Sequence, residues 1–229
     1  MPFFFGDPTF ILLVPAMLLA LYAQFKVQAT FNRYSQVQAS CGYTGAQVAA
    51  ELLRRRGISD VTVEETPGML ADHYDPRAKV LRLSPEVYES TSLAALGVAA
   101  HETGHALQHR EGYAPLAIRS AIVPVASLGT SAAWILFFIG AIVRAPVLMD
   151  LGILIFLGYV LFAIVTLPVE FNASARAVTV LQGEGLVMPE EANGVRAVLN
   201  AAGLTYVAAA AMALLSLLRL LVLRNTRRG

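Results

Sequence analysis

Two of the four histidines in this chain lie four residues apart, in His101-Glu102-Thr103-Gly104-His105. On a helix, residues at this spacing share one face about one turn apart, so both imidazoles can reach a single Zn²⁺. The carboxylate that follows the first histidine can take a proton from a zinc-activated water as that water attacks a peptide carbonyl. The pattern therefore predicts a hydrolytic zinc site with Glu102 as its general base.

The alternative is a helix whose histidines only pack or face solvent, because five-residue patterns also arise by chance. The residues before the motif favour the zinc interpretation. The run from Ser92 to Ala100 is rich in alanine and leucine, which predicts a real helix, and Ser90, Thr91 or Ser92 could cap its start.

The composition predicts a mainly α, polytopic membrane protein. Hydrophobic residues make up 56% of the 229 residues and charged residues only 14%, and the mean hydropathy is +0.60, which is too apolar for an ordinary soluble domain. Four charge-free runs are long enough to cross about 30 Å of hydrocarbon: 8–25, 120–143, 151–169 and 197–218, with the last span starting near Leu204. That last run could instead lie at the membrane interface.

The charges around the first run predict an anchor rather than a cleaved signal peptide. Asp7 is the one charged side chain before the run, whereas Lys26, Arg33 and Arg54 to Arg56 follow it. Nine of the seventeen basic residues fall between Lys26 and about Pro115. Under the positive-inside rule, the N-terminus is outside and this segment is in the cytoplasm.

The C-terminal end conflicts with this topology. Four spans would leave the C-terminus outside, yet Arg224, Arg227 and Arg228 crowd that end and favour the cytoplasm. Either the final segment does not cross the membrane, or packing against the earlier spans overrules its charges.

Cysteine content and net charge narrow the function classes. With Cys41 as its single cysteine, the chain can form no internal disulfide and no thiolate-rich zinc site. A net charge of +1 gives no nucleic-acid footprint. The expected partners are a protein or peptide substrate and the lipid bilayer.

The cytoplasmic segment is predicted to place a small sheet before the zinc helix. The first helix should continue through Gln38, and Thr44 could cap a second helix from Gly45 to Arg56. Three short strands follow, and then a helix opened by a Ser-Pro-Glu sequence: strands at 61–63, 69–76 and 78–83, and the helix opening at 84–86. Zinc proteases commonly hold an extended peptide against such a sheet edge.

A third ligand is needed, because a catalytic zinc site has three protein ligands and an open position. His109 lies eight residues from His101, about 12 Å of helical rise, which is too far for both to reach one ion, so it is expected to be a surface or interfacial residue. Glu170 is the better candidate, since a glutamate that ends a membrane span is costly unless it faces a polar site or water. Two spans separate His105 from Glu170, so all three ligands would lie on one membrane side. The alternative for Glu170 is a solvated helix end.

His73 is a further candidate, on the predicted strand before the zinc helix. It could polarise the scissile carbonyl or hold the oxygen of the tetrahedral intermediate. The alternative is that it pairs with Asp72 or Asp75 to fix the turn. Tyr74 points to the opposite face of a regular strand. Arg176 is expected to be an ion-pair partner or a lipid contact.

Several motifs in order resemble the YugP-like family of bacterial membrane zinc metallopeptidases. They are Asp72-His73-Tyr74-Asp75-Pro76, Leu83-Ser84, Ala100-His101-Glu102-Thr103-Gly104-His105-Ala106-Leu107-Gln108 and Pro168-Val169-Glu170-Phe171-Asn172-Ala173-Ser174. The resemblance runs from about Gly42 to Tyr206. It implies a multi-pass cell-membrane protein with a cytoplasmic gluzincin-type site, in which His101, His105 and Glu170 hold the zinc.

The chain is more distantly similar to HtpX-type membrane proteases, whose third ligand lies in a Glu-Phe-x-Ala-Asp pattern. That aspartate supports a zinc histidine, but here Ser174 occupies its position. The supporting contact would then come from a neutral hydroxyl, or from elsewhere, such as Asp72. The resemblance to the YugP-like family also implies an acid where this chain has Asn172.

Together these features predict a membrane-embedded endopeptidase with one Zn²⁺ per chain, acting at the cytoplasmic face of the cell membrane. The alternative from another class is a non-catalytic zinc-binding scaffold or chaperone-like subunit, which would have no use for Glu102 as a base. Metal transport is a less favoured alternative, because it would require ionisable residues inside the spans and these spans are nearly bare of them. The predicted segments are an N-terminal transmembrane anchor (1–27), a zincin-like α+β cytoplasmic segment (28–116), a transmembrane hairpin (117–169), a cytoplasmic helical segment with the third ligand (170–203), and a transmembrane or interfacial helix with a basic tail (204–229).

Overall fold

The computed structural model describes residues 8–226, apart from the side chains at 125 and 128, so Asp7, Arg227 and Arg228 lie outside the described residues. The chain is mainly helical. A 3-10 helix, Pro8–Leu13, begins the described part of the chain and continues directly into the first α-helix. The α-helices and β-strands follow in this order: α1 Val14–Tyr34, α2 Gly45–Arg55, β1 Thr62–Glu65, β2 His73–Asp75, β3 Val80–Leu83, α3 Pro85–Tyr88, α4 Leu93–Arg110, α5 Ala114–Ile142, α6 Pro146–Gly183 and α7 Pro189–Thr226.

Three helical stretches in the described part of the chain are long and apolar enough to cross a membrane. They are Pro8–Tyr34, Pro146–Gly183 and Pro189–Thr226. A fourth span results if the two parts of α5, which meet at a 50° bend, count as one. Pro124 lies at this bend, and a proline removes a helical hydrogen bond and kinks the helix. The apolar helices agree with the predicted membrane protein.

The chain divides into two compact units. The helical unit comprises Met1–Ala23, Ala117–Pro168 and Thr205–Gly229, and the sheet unit comprises Gln24–Leu116 and Val169–Leu204. The core of the helical unit is built from aromatic and aliphatic side chains of α5, α6 and α7, among them Phe137, Phe156 and Leu220.

The sheet unit holds a three-stranded sheet in the order β1-β3-β2, so β1 and β2 are its edges. β2 and β3, the strands expected around Asp75-Pro76-Arg77, pair antiparallel with His73 opposite Arg82. The Asp75 carboxylate accepts hydrogen bonds from the backbone N–H groups of Arg77 and Ala78, which stabilises the connecting turn. β1 pairs with β3 in parallel.

Capping residues define the starts of α2 and α4. Thr44 and Gln47 form a capping box at α2. The Ser92 hydroxyl accepts a hydrogen bond from the backbone N–H of Ala95 and so caps α4. Most of α4 is buried, including Leu96, in a core shared with α2, α6 and α7. The helix that carries the zinc motif is therefore the centre of the sheet unit.

The first helix ends at Tyr34 rather than continuing through Gln38, so that expectation was wrong. Beyond the helix, the chain pairs with the segment that precedes α4. The backbone N–H of Ala39 donates to the carbonyl of Thr91, and the N–H of Leu93 donates to the carbonyl of Val37. These long-range bonds replace the helical ones that the local sequence would otherwise allow.

Candidate metal centre

The structure brings His101, His105 and Glu170 together. One ligand atom from each of the three residues lies within 4.8 Å of the other two. The Oε2 atom of Glu170 is 3.2 Å from Nε2 of His101 and 3.6 Å from Nε2 of His105. The two histidines occupy consecutive turns of α4, with ring centroids 4.8 Å apart, and Glu170 reaches them from α6. Two Nε2 atoms and one carboxylate thus converge on one point.

These residues fit a zinc ion. Glu170 is only 2% exposed, and a buried carboxylate is costly unless cationic or hydrogen-bonding groups face it. The groups that face it are imidazole nitrogens, which bind zinc when neutral. Two histidines and one glutamate form one of the three-ligand sets that catalytic zinc sites use.

The electrostatics of the pocket favour a cation. Burial by itself lowers the pKa of His105, but its hydrogen bond to Glu170 and the charges of Glu102 and Glu170 outweigh this, so the pKa of His105 is raised. The same carboxylates would stabilise a metal ion held at this position.

Glu102 lies beside His101 on α4 and is 8% exposed. Its carboxylate is close enough to His105 to contribute to the raised pKa of that residue. The proposed base is therefore buried near the candidate ligands.

Each candidate zinc histidine contacts a polar side chain through its other ring nitrogen. Nδ1 of His101 lies 3.1 Å from the hydroxyl of Ser174. Nδ1 of His105 lies 3.0 Å from Oε1 of Gln108. Of the two supports considered for His101, the contact comes from Ser174, since Asp72 instead accepts hydrogen bonds from the backbone and hydroxyl of Ser84.

Sequence reasoning missed the role of Gln108. Its side chain is fully buried, and its Nε2 group donates to the carbonyl of Val169 at 2.8 Å and to Oδ1 of Asn172 at 2.9 Å. Its position three residues after His105, on the same helical face, is the signal that could have found it.

Asn172 also accepts a hydrogen bond from Nε of Arg176 at 2.7 Å. Arg176 forms an ion pair with Glu111 at 2.6 Å, so it is an ion-pair partner.

The other two histidines lie on β2 and at the end of α4. His109 is exposed, and its Nδ1 lies 2.9 Å from the hydroxyl of Tyr74. Burial, together with the charges of Asp60 and Asp75, raises the pKa of Tyr74. This contact joins the edge strand to the zinc-motif helix.

His73 is exposed at the start of β2. Its Nδ1 lies 2.7 Å from the carbonyl of Ala71, and its Nε2 lies 3.4 Å from the guanidinium of Arg82. Asp75, one of the two acids considered as its partner, binds the turn instead. A catalytic role for His73 stays a prediction.

The comparisons with known proteins place the chain in a family. Residues 9–225 match the family model described as "Putative neutral zinc metallopeptidase". The "Putative membrane protease YugP" of Bacillus subtilis (strain 168) is 47% identical over 212 residues, which cover 93% of this chain and 94% of that relative. No solved structure matches the chain. The match of residues 9–225 includes His101, His105 and Glu170, and the chain belongs to this family of zinc metallopeptidases.

Proposed function

We propose that this protein is a membrane-embedded zinc endopeptidase that hydrolyses peptide bonds at the cytoplasmic face of the cell membrane. The observation that carries the proposal is the convergence of His101, His105 and Glu170 in a chain of the zinc metallopeptidase family. Both Nε2 atoms face the Glu170 carboxylate, which supports gluzincin-type ligation of one zinc ion per chain, with the fourth position open.

Each residue of the site has a distinct role in this proposal. A zinc ion held by the three ligands would supply Lewis acidity and lower the pKa of a water molecule toward about 7. Glu102 takes the proton of the attacking water and returns it to the leaving amine. The buried environment of Glu102 strengthens its interactions with the reacting groups, because little water screens them.

The edge strand β2 is the proposed binding site for the substrate. An extended peptide can pair with an edge strand through main-chain hydrogen bonds that require little side-chain specificity. The contact between Tyr74 and His109 holds β2 against α4, which supports a fixed position for the substrate backbone relative to the zinc motif. For His73 to hold a substrate oxygen, its Nδ1 would have to release the carbonyl of Ala71.

Contacts within the helical unit support a topology with both chain ends outside. Nε of Arg219 donates to the hydroxyl of Thr9 at 3.2 Å, near the start of the first helix. Arg224 forms an ion pair with Asp150, near the start of α6, at 2.6 Å. The end of α7 is thereby joined to the starts of the first helix and α6. In this proposal, packing overrules the basic C-terminal residues, and the sheet unit faces the cytoplasm.

The test is zinc content together with cleavage of an unfolded model protein. Wild type is expected to hold about one zinc ion per chain, Glu170→Gln to lose it, and Glu102→Gln to keep it while cleavage falls by about 100- to 10,000-fold. Glu86→Gln, at an exposed position, is the matched control and should retain both zinc content and cleavage. If Glu170→Gln retains its zinc, the third ligand is wrong. If Glu102→Gln cleaves like wild type, the protease proposal fails and a zinc-binding scaffold is the better account.

A further inference from the structure

Four side chains form a polar chain that runs outward from His105. Gln108 lies beside His105, Asn172 lies beside Gln108, and Arg176 lies beside Asn172, with each link between 2.7 and 3.0 Å. The innermost amide, Gln108, is fully buried. A buried amide is stable only if each of its polar atoms faces a partner of the opposite kind.

Arg176, at the outer end of this row of four polar side chains, fixes the direction of the Asn172 amide. A guanidinium can only donate hydrogen bonds, so the Asn172 atom that faces Arg176 at 2.7 Å must be the oxygen. The same oxygen faces Gln108 at 2.9 Å, so Gln108 must present its NH₂ group there.

The backbone fixes Gln108 in the same direction. The carbonyl of Val169 can only accept hydrogen bonds, and it lies 2.8 Å from the amide nitrogen of Gln108. Two acceptors therefore hold the NH₂ group, and the Gln108 oxygen must face His105. This orientation follows from the kinds of partner groups, which removes the usual ambiguity between oxygen and nitrogen in an amide.

The consequence reaches the metal centre, and it rests on the proposed function. Because the Gln108 oxygen can only accept, Nδ1 of His105 must carry the hydrogen, and in the neutral ring that binds a metal this leaves the lone pair on Nε2, the nitrogen that faces Glu170. Ser174, the partner of His101, is a hydroxyl that can donate or accept, so it imposes no such choice.

We propose that Gln108 is a positioning residue that holds His105 in the metal-binding tautomer, and that Asn172 and Arg176 set the direction of the Gln108 amide. An aspartate at position 172 would accept hydrogen bonds in any orientation. Asn172 presents its oxygen to Gln108 because Arg176 fixes the direction of its amide. Acceptor character at this position, rather than charge, is the property that His105 requires.

Zinc affinity of the full chain in detergent tests the proposal. Metal-stripped wild type and variants are titrated with Zn²⁺ in competition with a chromogenic chelator. Gln108→Met keeps the size of the side chain but removes the acceptor, so its affinity should fall by about 10- to 100-fold. Glu111→Gln removes the ion pair of Arg176 without touching Asn172 and should leave the affinity unchanged.

A second pair of variants separates orientation from packing, and also covers the case in which Gln108→Met does not fold. Aspartate and leucine are both close to asparagine in size. The Asn172→Asp variant retains the hydrogen-bond acceptor and should bind zinc at least as tightly as wild type, whereas the Asn172→Leu variant should bind zinc more weakly. Equal affinities for these two variants, or a folded Gln108→Met that matches wild type, would overturn the assignment. A wild type that takes up no zinc would overturn the proposed metal site itself, and this inference with it.

Discussion

Gly104, inside the zinc motif, lies directly against Ala173 of α6. A Cβ atom added to Gly104 would be 2.7 Å from the carbonyl oxygen of Ala173, which is closer than side chains approach backbone atoms. The close approach of α4 and α6 at this point brings Glu170 within 3.2 Å of His101. The glycine at the second variable position of the motif therefore permits this close approach, because any side chain there would collide with α6.

Gly104→Ala is expected to push α4 and α6 apart. The overpacking should cost about 1–3 kcal/mol of stability, and zinc affinity should fall because Glu170 moves away from the histidines. Zinc titration and thermal unfolding measure both effects. Gly183→Ala is the matched control: no atom lies within 4 Å of its added Cβ, so alanine there should be neutral or slightly stabilising. Normal zinc affinity in Gly104→Ala would show that the close approach is not required.

Ser174 provides a second test of the groups around the candidate metal centre. Its hydroxyl contacts Nδ1 of His101 at 3.1 Å, and Ser174→Ala should weaken zinc binding because the imidazole loses an orienting contact. Ser174→Asp introduces the acid of the HtpX-type pattern and should bind zinc more tightly than Ser174→Ala. Chelator competition measures both affinities. Identical affinities for serine, alanine and aspartate would show that this contact does not orient His101.

Zinc should stabilise the folded protein by mass action. At a free zinc concentration 100 times the dissociation constant, the expected gain is about 2.7 kcal/mol, seen as a higher unfolding temperature. A chelator should reverse the gain in wild type. Glu170→Gln, which lacks the proposed third ligand, should respond to neither reagent. A zinc-dependent shift of equal size in this variant would place the stabilising ion elsewhere.

Tyr74→Phe should affect substrate binding while leaving the metal in place. The change removes the hydroxyl that contacts His109, at a cost of about 1 kcal/mol, and loosens β2 from α4. We expect a higher KM for an extended peptide and unchanged zinc content. Tyr88→Phe on α3 is the control for loss of a phenol hydroxyl. A Tyr74→Phe protein with unaltered KM would argue against β2 as the substrate strand.

The proposed topology predicts which side of the membrane each segment faces. In intact cells, an impermeant maleimide should leave the native Cys41 unlabelled, because Cys41 belongs to the sheet unit, which the proposal places in the cytoplasm. In a Cys41→Ser background, a cysteine at Ala145, between α5 and α6, should be labelled, as should one appended to the C-terminus. Labelling of Cys41, or protection of the C-terminal cysteine, would contradict the topology.

The sequence by itself determined the features that depend on neighbouring residues. The spacing of His101 and His105 sets their common face, because helix geometry is local. Ser92 and Thr44 cap their helices through bonds to residues three positions away. The long apolar runs indicated the membrane helices, because a span must be apolar along its whole length. Glu170 could be proposed as a ligand because the order of the chain shows two spans between it and His105. Two spans return the chain to the same side of the membrane.

The tertiary structure decided what depends on contacts between distant segments. The pairing of 37–39 with 91–93 ended α1 at Tyr34, against the local helical preference. The approach of α6 to α4 placed Ser174 beside His101 and built the polar chain from Gln108 to Arg176. The links between α4 and α6, Ser174 to His101 and Asn172 to Gln108, join residues more than sixty positions apart, and no local periodicity encodes them. They form because burying the face of α4 against α6 leaves polar groups that must find partners inside the protein.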